Sequence, residues 1–403
     1  METKAINTKL KGHARVDVAD VLRGLAVMGI IILHSIEHFN FYSFPDTAGQ
    51  SAWLNFSDKA IWNGLFFMFG GKAYAIFALL FGFSFFIQDD NQRLRGNDFR
   101  LRFCWRVFFF FFCWRLILLF LIGNINASFF TAEVLVLYSL VGFILPLTCR
   151  LKDKWIFALA CLLLIQPLPL YYVIRACLDP EFVTPAIPTR SFWNATFAVQ
   201  SNGNFLETIR VNLWEGQLAS LAWAWDHGRV FQTAALFLLG MLIGRKGLFL
   251  KEHLKVWNKV LAGSLVAFFP LYGLGNMLPD FITNKSILTP LSLIITSLSN
   301  FAFMLILVSG VVFAFYKTNL HDGLMKITPY GKMSLTNYIT QSIVGSMLYY
   351  NWGFALHNQF GITASCLAGI VFFILQFSFC RWWMNHHSHG PMEYIWKRAT
   401  WLK

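Results

Sequence analysis

The stretch Asp20-Val-Leu-Arg-Gly-Leu-Ala-Val-Met-Gly-Ile-Ile-Ile-Leu-His34 is the first long apolar run of the chain, with an arginine near one end and a histidine at the other. The step from Arg23 to His34 is close to three helical turns, so on a helix both side chains point to one side, about 16 Å apart along the axis. Such residues on a membrane helix are costly and usually face a polar cavity or a partner. The plainer reading is that Arg23 snorkels to the headgroups and His34 is satisfied by packing against a neighbouring helix. Spacing by itself leaves both readings open.

Outward from this stretch, composition sets the class. The chain has 403 residues, of which 57% are hydrophobic and only 13% charged. Soluble domains carry about twice that share of charge. Several further runs approach twenty apolar residues, enough to cross a hydrocarbon core as helices. They are continuously apolar rather than alternating, which argues against a β-barrel. The expected fold is all-α, a polytopic transmembrane helix bundle of about ten spans with both termini cytoplasmic. It forms a single domain, 1–403, with a cytoplasmic segment 1–18, an extracytoplasmic loop 175–227 and a cytoplasmic tail 381–403.

The net charge of +13 reads as topology rather than nucleic-acid binding, because the basic residues cluster in loops that belong on the cytoplasmic side. Residues 93–102 hold Arg93, Arg95, Arg100 and Arg102, and further clusters follow at 150–154, 245–259 and 317–332. The seven cysteines show no metal-ligand spacing and read as small core residues. The first apolar run has no small-residue cleavage site and is expected to be retained.

In chain order the expected spans are 20–40, 72–88, 104–123, 130–149, 155–174, 229–246, 257–277, 287–316, 333–352 and 362–380, with an interfacial or re-entrant piece at 59–70. Pro167 and Pro169 predict a kink or a short helix in the fifth span. Arg106 and Arg115 fall on opposite faces of the third. Arg115, the deeper one, needs a partner, and Glu133 is the candidate. The tryptophans Trp193, Trp214, Trp223 and Trp225 read either as an interfacial belt or as a surface for stacking on a sugar.

The arginine, ten intervening residues and histidine on the first span, with Leu22-Arg-Gly-x-Ala26 and Asp20 before it, resemble the acyltransferase family 3 membrane enzymes. Gly331-Lys-Met-Ser-Leu-Thr-Asn-Tyr338 followed by Gln341-Ser342, Leu238-Leu-Gly-Met-Leu-Ile-Gly-Arg245, and the tail Gly390-Pro-Met-Glu-Tyr-Ile-Trp-Lys-Arg398 resemble blocks of the YeiB-like bacterial membrane proteins. Gly71-Lys72 and Leu80-Phe-Gly82 match that family's second-helix region. The likeness covers most of the chain and is weakest over 175–227. The tail departs from the pattern at Asn385-His-His-Ser-His389, where arginine-rich sequence is expected. The resemblance implies a place in a transmembrane acyltransferase superfamily with the heparan-glucosaminide acetyltransferases, and a location in the bacterial cytoplasmic membrane.

The resemblance and the residue chemistry together give the candidate site. His34 suits a general base, since imidazole titrates near neutrality. Glu37 and His38 lie within one turn of it and can orient or tune it, or can merely be solvated at the interface. Asn337 and Gln341, on one helix face with Ser334, can polarise an acyl carbonyl or serve as interhelical polar glue. The cofactor-binding candidates are Arg23, Lys72, Arg106 and Lys332, with acyl-CoA, acetyl-CoA first, as donor. The substrate-binding candidates are His38, Arg229 and Tyr338. No metal is expected, and the tail histidines His386, His387 and His389 are weak evidence for one. Expected partners are membrane lipids, acyl-CoA, and a glycan, lipid or small-molecule acceptor; nucleic acid is not among them, and a homodimer is compatible. A transporter or exporter of a small polar or anionic metabolite is the rival reading, and a non-catalytic scaffold a third.

Overall fold

The computed structural model describes residues 16–42, 44, 49–95, 101–185 and 187–401, of which 89, 91–95, 101–109 and 401 are described by backbone alone. Among the described residues the chain is helical and has no strand. Six helices are long and apolar enough to cross a bilayer, or up to eight if each of two bent helix pairs counts as one span. The expected number of about ten is therefore an upper figure.

The first helix, α1 (Asp17–Ile36), is central and is buried along most of its length. Beside it stand α2 (Ala52–Phe69) and α3 (Ala73–Arg95), which meet at Gly70-Gly71. Then come α4 (Leu101–Ala127), the short pair α5 (Val134–Val141) and α6 (Ile144–Thr148), α7 (Asp153–Leu164) and α8 (Pro167–Leu178). The proline-rich span is broken as its sequence predicts. Helices α7 and α8 meet at 50°, with Gln166 between them in the left-handed region at φ +60°.

Residues 175–227, read from sequence as a loop, are largely helical. They form α9 (Thr189–Asn202), α10 (Phe205–Val211), a π turn at Asn212–Gly216 and α11 (Gln217–Asp226). Four of their polar residues, Thr196, Gln200, Thr208 and Asn212, turn inward, and Gln200 donates to Thr131 and to Asn212. Polarity there is divided between an internal hydrogen-bond network and an exposed, charged surface. Helix α12 (Arg229–Arg245) follows at a 72° bend, then α13 (Leu254–Phe281), α14 (Lys285–Lys317), α15 (His321–Met325), α16 (Thr328–Lys332), α17 (Ser334–Tyr349), α18 (Ile362–His386) and α19 (Pro391–Trp401).

The distribution of polarity is that of a membrane bundle. Large apolar side chains point outward: Val266 is 75% exposed, Phe281 74% and Leu375 63%. Meanwhile Asn126, Glu133, Gln232, Asn337, Gln341 and Gln376 are buried. Lipid makes outward apolar surface favourable, and internal polar groups then find partners across helices. The chain is a multi-pass helical membrane protein.

Candidate functional site

A cavity of about 460 Å³ opens beside the N-terminal half of α1. Its floor is apolar, with Phe81, Phe85, Phe112, Leu116 and Tyr138 among the lining side chains, and Arg23, Arg115, Lys332 and Lys397 bring four cations to it. Glu393 is the carboxylate in the lining, and it is already engaged. Its oxygens accept from the backbone N–H of Leu335 at 2.8 Å and Thr336 at 3.1 Å, and from the Thr336 hydroxyl at 2.6 Å. It thereby satisfies the free amides at the start of α17. Arg23 donates to Asp20 at 2.6 Å and to Ser84 on α3 at 3.0 Å.

Two of the cofactor-binding candidates, Arg23 and Lys332, thus share one cavity. Close backbone approach puts them there: a Cβ on Gly331 would lie 1.9 Å from the Asp20 carbonyl oxygen. Only glycine lets α16 press onto α1, and Lys332 is the next residue. Sequence reasoning missed Arg115 and α19 as parts of this cavity. The expected Arg115–Glu133 pair does not form. The Arg115 guanidinium instead sits 5.0 Å from the Trp396 ring of α19, a cation–π contact. Glu133 caps α5 through the Leu135 N–H and accepts from Asn126. About 18 residues of sequence separate the two, most of them along α4, which carries Arg115 away from the bend at Glu133. The signal for α19 is the tail block Gly390–Arg398, whose role depends on folding back across the bundle. Trp114 Nε1 donates to the Ala399 carbonyl at 3.1 Å and anchors it there.

At the opposite end of α1 the structure brings His34, Glu37 and His38 together. His34 Nδ1 lies 3.0 Å from Glu37 Oε1. His38 Nδ1 stands 2.9 Å from the same oxygen but is not aligned to donate to it. The Tyr42 hydroxyl donates to Glu37 Oε2 at 3.2 Å. Phe130 packs against His34 with ring centres 5.0 Å apart, and Trp193 against His38 at 5.8 Å. One carboxylate therefore serves two imidazoles under an aromatic cover. An ionised carboxylate can only accept, so a neutral His34 bonded to it carries its proton on Nδ1 and presents the Nε2 lone pair. The arrangement has a second capability, signalled in the sequence by the unnoticed pattern His34-x-x-Glu37-His38. Ligand atoms of the three side chains all lie within 4.8 Å of one another, close enough to hold a metal ion.

The other candidates lie elsewhere. Asn337 donates to the Tyr330 carbonyl at 3.0 Å and accepts from Cys380. Gln341 donates to the Tyr330 hydroxyl and to Gln376, both at 3.0 Å. These bonds tie α16, α17 and α18 together, and neither residue lines the cavity. The Tyr338 hydroxyl accepts from the Val134 N–H at 3.3 Å and lies 3.5 Å from Glu133. Lys72 and Arg229 form a third place, at the junction of α2, α3 and α12. Arg106 belongs to α4, but its side chain lies outside the described residues. His34 is not in the cavity lining.

Fold and site define a helical multi-pass membrane protein with a cation-lined cavity at one end of its central helix and a histidine–carboxylate cluster at the other. Residues 243–403 match the family described as "Protein of unknown function (DUF418)". Over 97% of its length the chain is 26% identical to 95% of the uncharacterized protein YxaH of Bacillus subtilis (strain 168). It is 21% identical, over 96% of its length and 94% of the relative's, to an uncharacterized 39.9 kDa protein in the amylase 3′ region of Bacillus acidopullulyticus. A shorter match, 29% identical over 75 residues, covers 17% of this chain and 18% of the uncharacterized protein YeiB of Escherichia coli (strain K12). Together these likenesses support a relationship to the YeiB-like proteins. No solved structure matches the chain.

Proposed function

We propose that the chain is a membrane acyltransferase of the bacterial cytoplasmic membrane, a single transmembrane domain within the acyltransferase family 3 and heparan-glucosaminide acetyltransferase superfamily. Both termini face the cytoplasm. Cytosolic acyl-CoA, acetyl-CoA first, is the donor. A hydroxyl or amine of a cell-envelope glycan, lipid or small metabolite is the acceptor.

The observation that carries this reading is the placement of Arg23 and Lys332 at one apolar-floored cavity, on the same helix whose far end holds His34 against Glu37. A guanidinium and an ammonium suit the phosphates of CoA, and the apolar floor suits the acyl and pantetheine portions. About 16 Å of helix separates Arg23 from His34, a span of the order of the extended pantetheine arm. Transfer requires that arm to reach beyond the cavity, whose lining does not include His34.

At His34, Nε2 takes the proton of the acceptor hydroxyl or amine as that atom attacks the thioester carbonyl. The C–S bond breaks, and the CoA thiolate leaves with the proton from the imidazolium. Glu37 holds the ring in the required tautomer and offsets the transient positive charge. A transporter or exporter of a small polar or anionic metabolite is the second reading, favoured by the two bent helix pairs. Thermal unfolding of the detergent-solubilised full chain with CoA tests the donor site. Acyl-CoA binding raises the melting temperature by mass action, and Lys332→Ala reduces the rise. A well-folded protein that shows no CoA-dependent shift favours the exporter.

A further inference from the structure

Away from both ends of α1 lies a pair of cations that the acyl-transfer reading does not use. Lys72, at the start of α3, is 8% exposed. Its ammonium lies 5.8 Å from the Phe67 ring and 5.5 Å from the Phe303 ring. Arg229, at the start of α12, stacks over Tyr74 at 4.4 Å and lies 5.3 Å from Trp223. It donates to Gln232 at 3.0 Å, while its buried Nε has no hydrogen-bond partner. Among the described residues no carboxylate lies within 4 Å of either cation. Aromatic faces attract a cation but supply no counter-charge.

Gly71 stands between the two at φ +73°. A Cβ there would meet Asn300 Nδ2 at 2.9 Å, Arg229 Nη2 at 3.2 Å and Nη1 at 3.4 Å. The absence of a side chain at Gly71 lets donors of Asn300 and Arg229 crowd over its backbone, and cations held close together without an acid are costly unless an anion joins them. We propose that Lys72, Arg229 and Asn300 form a second anion site that takes a phosphate group, from an anionic lipid headgroup or from a soluble phosphorylated molecule. A fork, a point charge and an amide are the donor types that suit a tetrahedral oxyanion. The site is distinct from the Arg23 cavity: Ser84, which contacts Arg23, is twelve residues further along α3 than Lys72, about 18 Å. The two are linked nonetheless. Tyr138 in the cavity wall donates to the Tyr74 carbonyl at 2.9 Å, the Tyr74 hydroxyl bonds Gln232, and Gln232 accepts from Arg229.

The test uses full-length protein in neutral phosphatidylcholine nanodiscs and reads melting temperature, so it depends neither on CoA nor on acyl transfer. In one arm inorganic phosphate is titrated against chloride at matched ionic strength. In the other, phosphatidylglycerol replaces part of the lipid. A rise of several degrees is expected in at least one arm. The phosphate arm identifies a soluble source, and a rise with phosphatidylglycerol alone identifies a headgroup. The rise survives in Lys332→Ala, which removes a cation from the other cavity, and in Lys72→Arg. It is lost in Arg229→Gln or, should that variant not fold, in Lys72→Gln. No rise in either arm, or a rise unchanged by loss of the Lys72 or Arg229 charge, overturns the site.

Discussion

The two ends of α1 handle charge in opposite ways. At the Arg23 end, four cations line an open cavity whose carboxylate, Glu393, is occupied by backbone amides. Positive potential there is left over for a ligand. At the His34 end, Glu37 lies within 3.0 Å of both imidazoles, and the cluster is closed under Phe130 and Trp193. An open set of cations compensated only in part, by Asp20 at Arg23, is built to bind an ion from outside. A closed, internally compensated set is built to hold ring nitrogens in defined protonation states. One helix thus separates recognition from proton handling, and each difference can be attacked by substitution.

The largest effect is expected at the closed end. His34→Gln keeps hydrogen-bonding capacity and similar bulk but cannot take a proton. Acyl transfer in proteoliposomes should fall by roughly 10² to 10⁴-fold, the usual contribution of a positioned base. CoA-dependent stabilisation should stay intact, because it belongs to the other end. Near-normal transfer by the Gln variant would falsify the base assignment and leave His34 as a packing residue.

Next comes the open end. Arg23→Lys keeps the charge that pairs with Asp20 but loses the planar fork. CoA affinity, read from the concentration dependence of melting temperature, should weaken by about tenfold or more, since bonds to charged groups contribute about 1.5–3 kcal/mol each. Unchanged affinity would mean that Arg23 serves only its contacts to Asp20 and Ser84. A smaller change is expected from Glu393→Ala. It removes the acceptor for two first-turn amides of α17, so stability should drop by about 1 kcal/mol, with CoA binding weakened only through displacement of α19. A variant as stable as the parent would remove the capping role.

How much of this was legible in the sequence follows from the same contrast. Apolar runs and basic clusters gave the helical membrane class, and Pro167 gave the break between α7 and α8. The spacing of Arg23 and His34 placed both on one helix, and charge alone marked Lys332. Partnership was not legible. Arg115 and Glu133 looked like a pair because both are costly in a membrane, yet their positions along α4 and before α5 give them separate partners, Trp396 for the one and Asn126 for the other. Asn337 and Gln341 looked like a reactive face. The structure engages these amides with Tyr330, Gln376 and Cys380, partners up to 43 residues away, and leaves the Gln341 Oε1 atom without a partner. The helices within 175–227 were not legible, because buried amides such as Gln200 read as solvent-seeking when their partners are unknown.

The smallest expected effect is also the one that tests what the His34 cluster is for. His34, Glu37 and His38 are close enough to share a metal ion, and a histidine–carboxylate–histidine set suits zinc. The two uses are exclusive at His34. A metal on Nδ1 would displace the hydrogen bond to Glu37 and leave the proton on Nε2, where the base needs a lone pair. A metal on Nε2 would occupy the lone pair itself. The base reading therefore expects that prolonged chelation leaves both acyl transfer and melting temperature unchanged. Added zinc should inhibit, and His38→Gln should reduce that inhibition while retaining transfer. Metal analysis of protein purified without chelator decides the same point independently. Near-stoichiometric zinc, with transfer lost on chelation and restored by zinc, would make His34 a ligand and move the proton-accepting role to water bound at the ion.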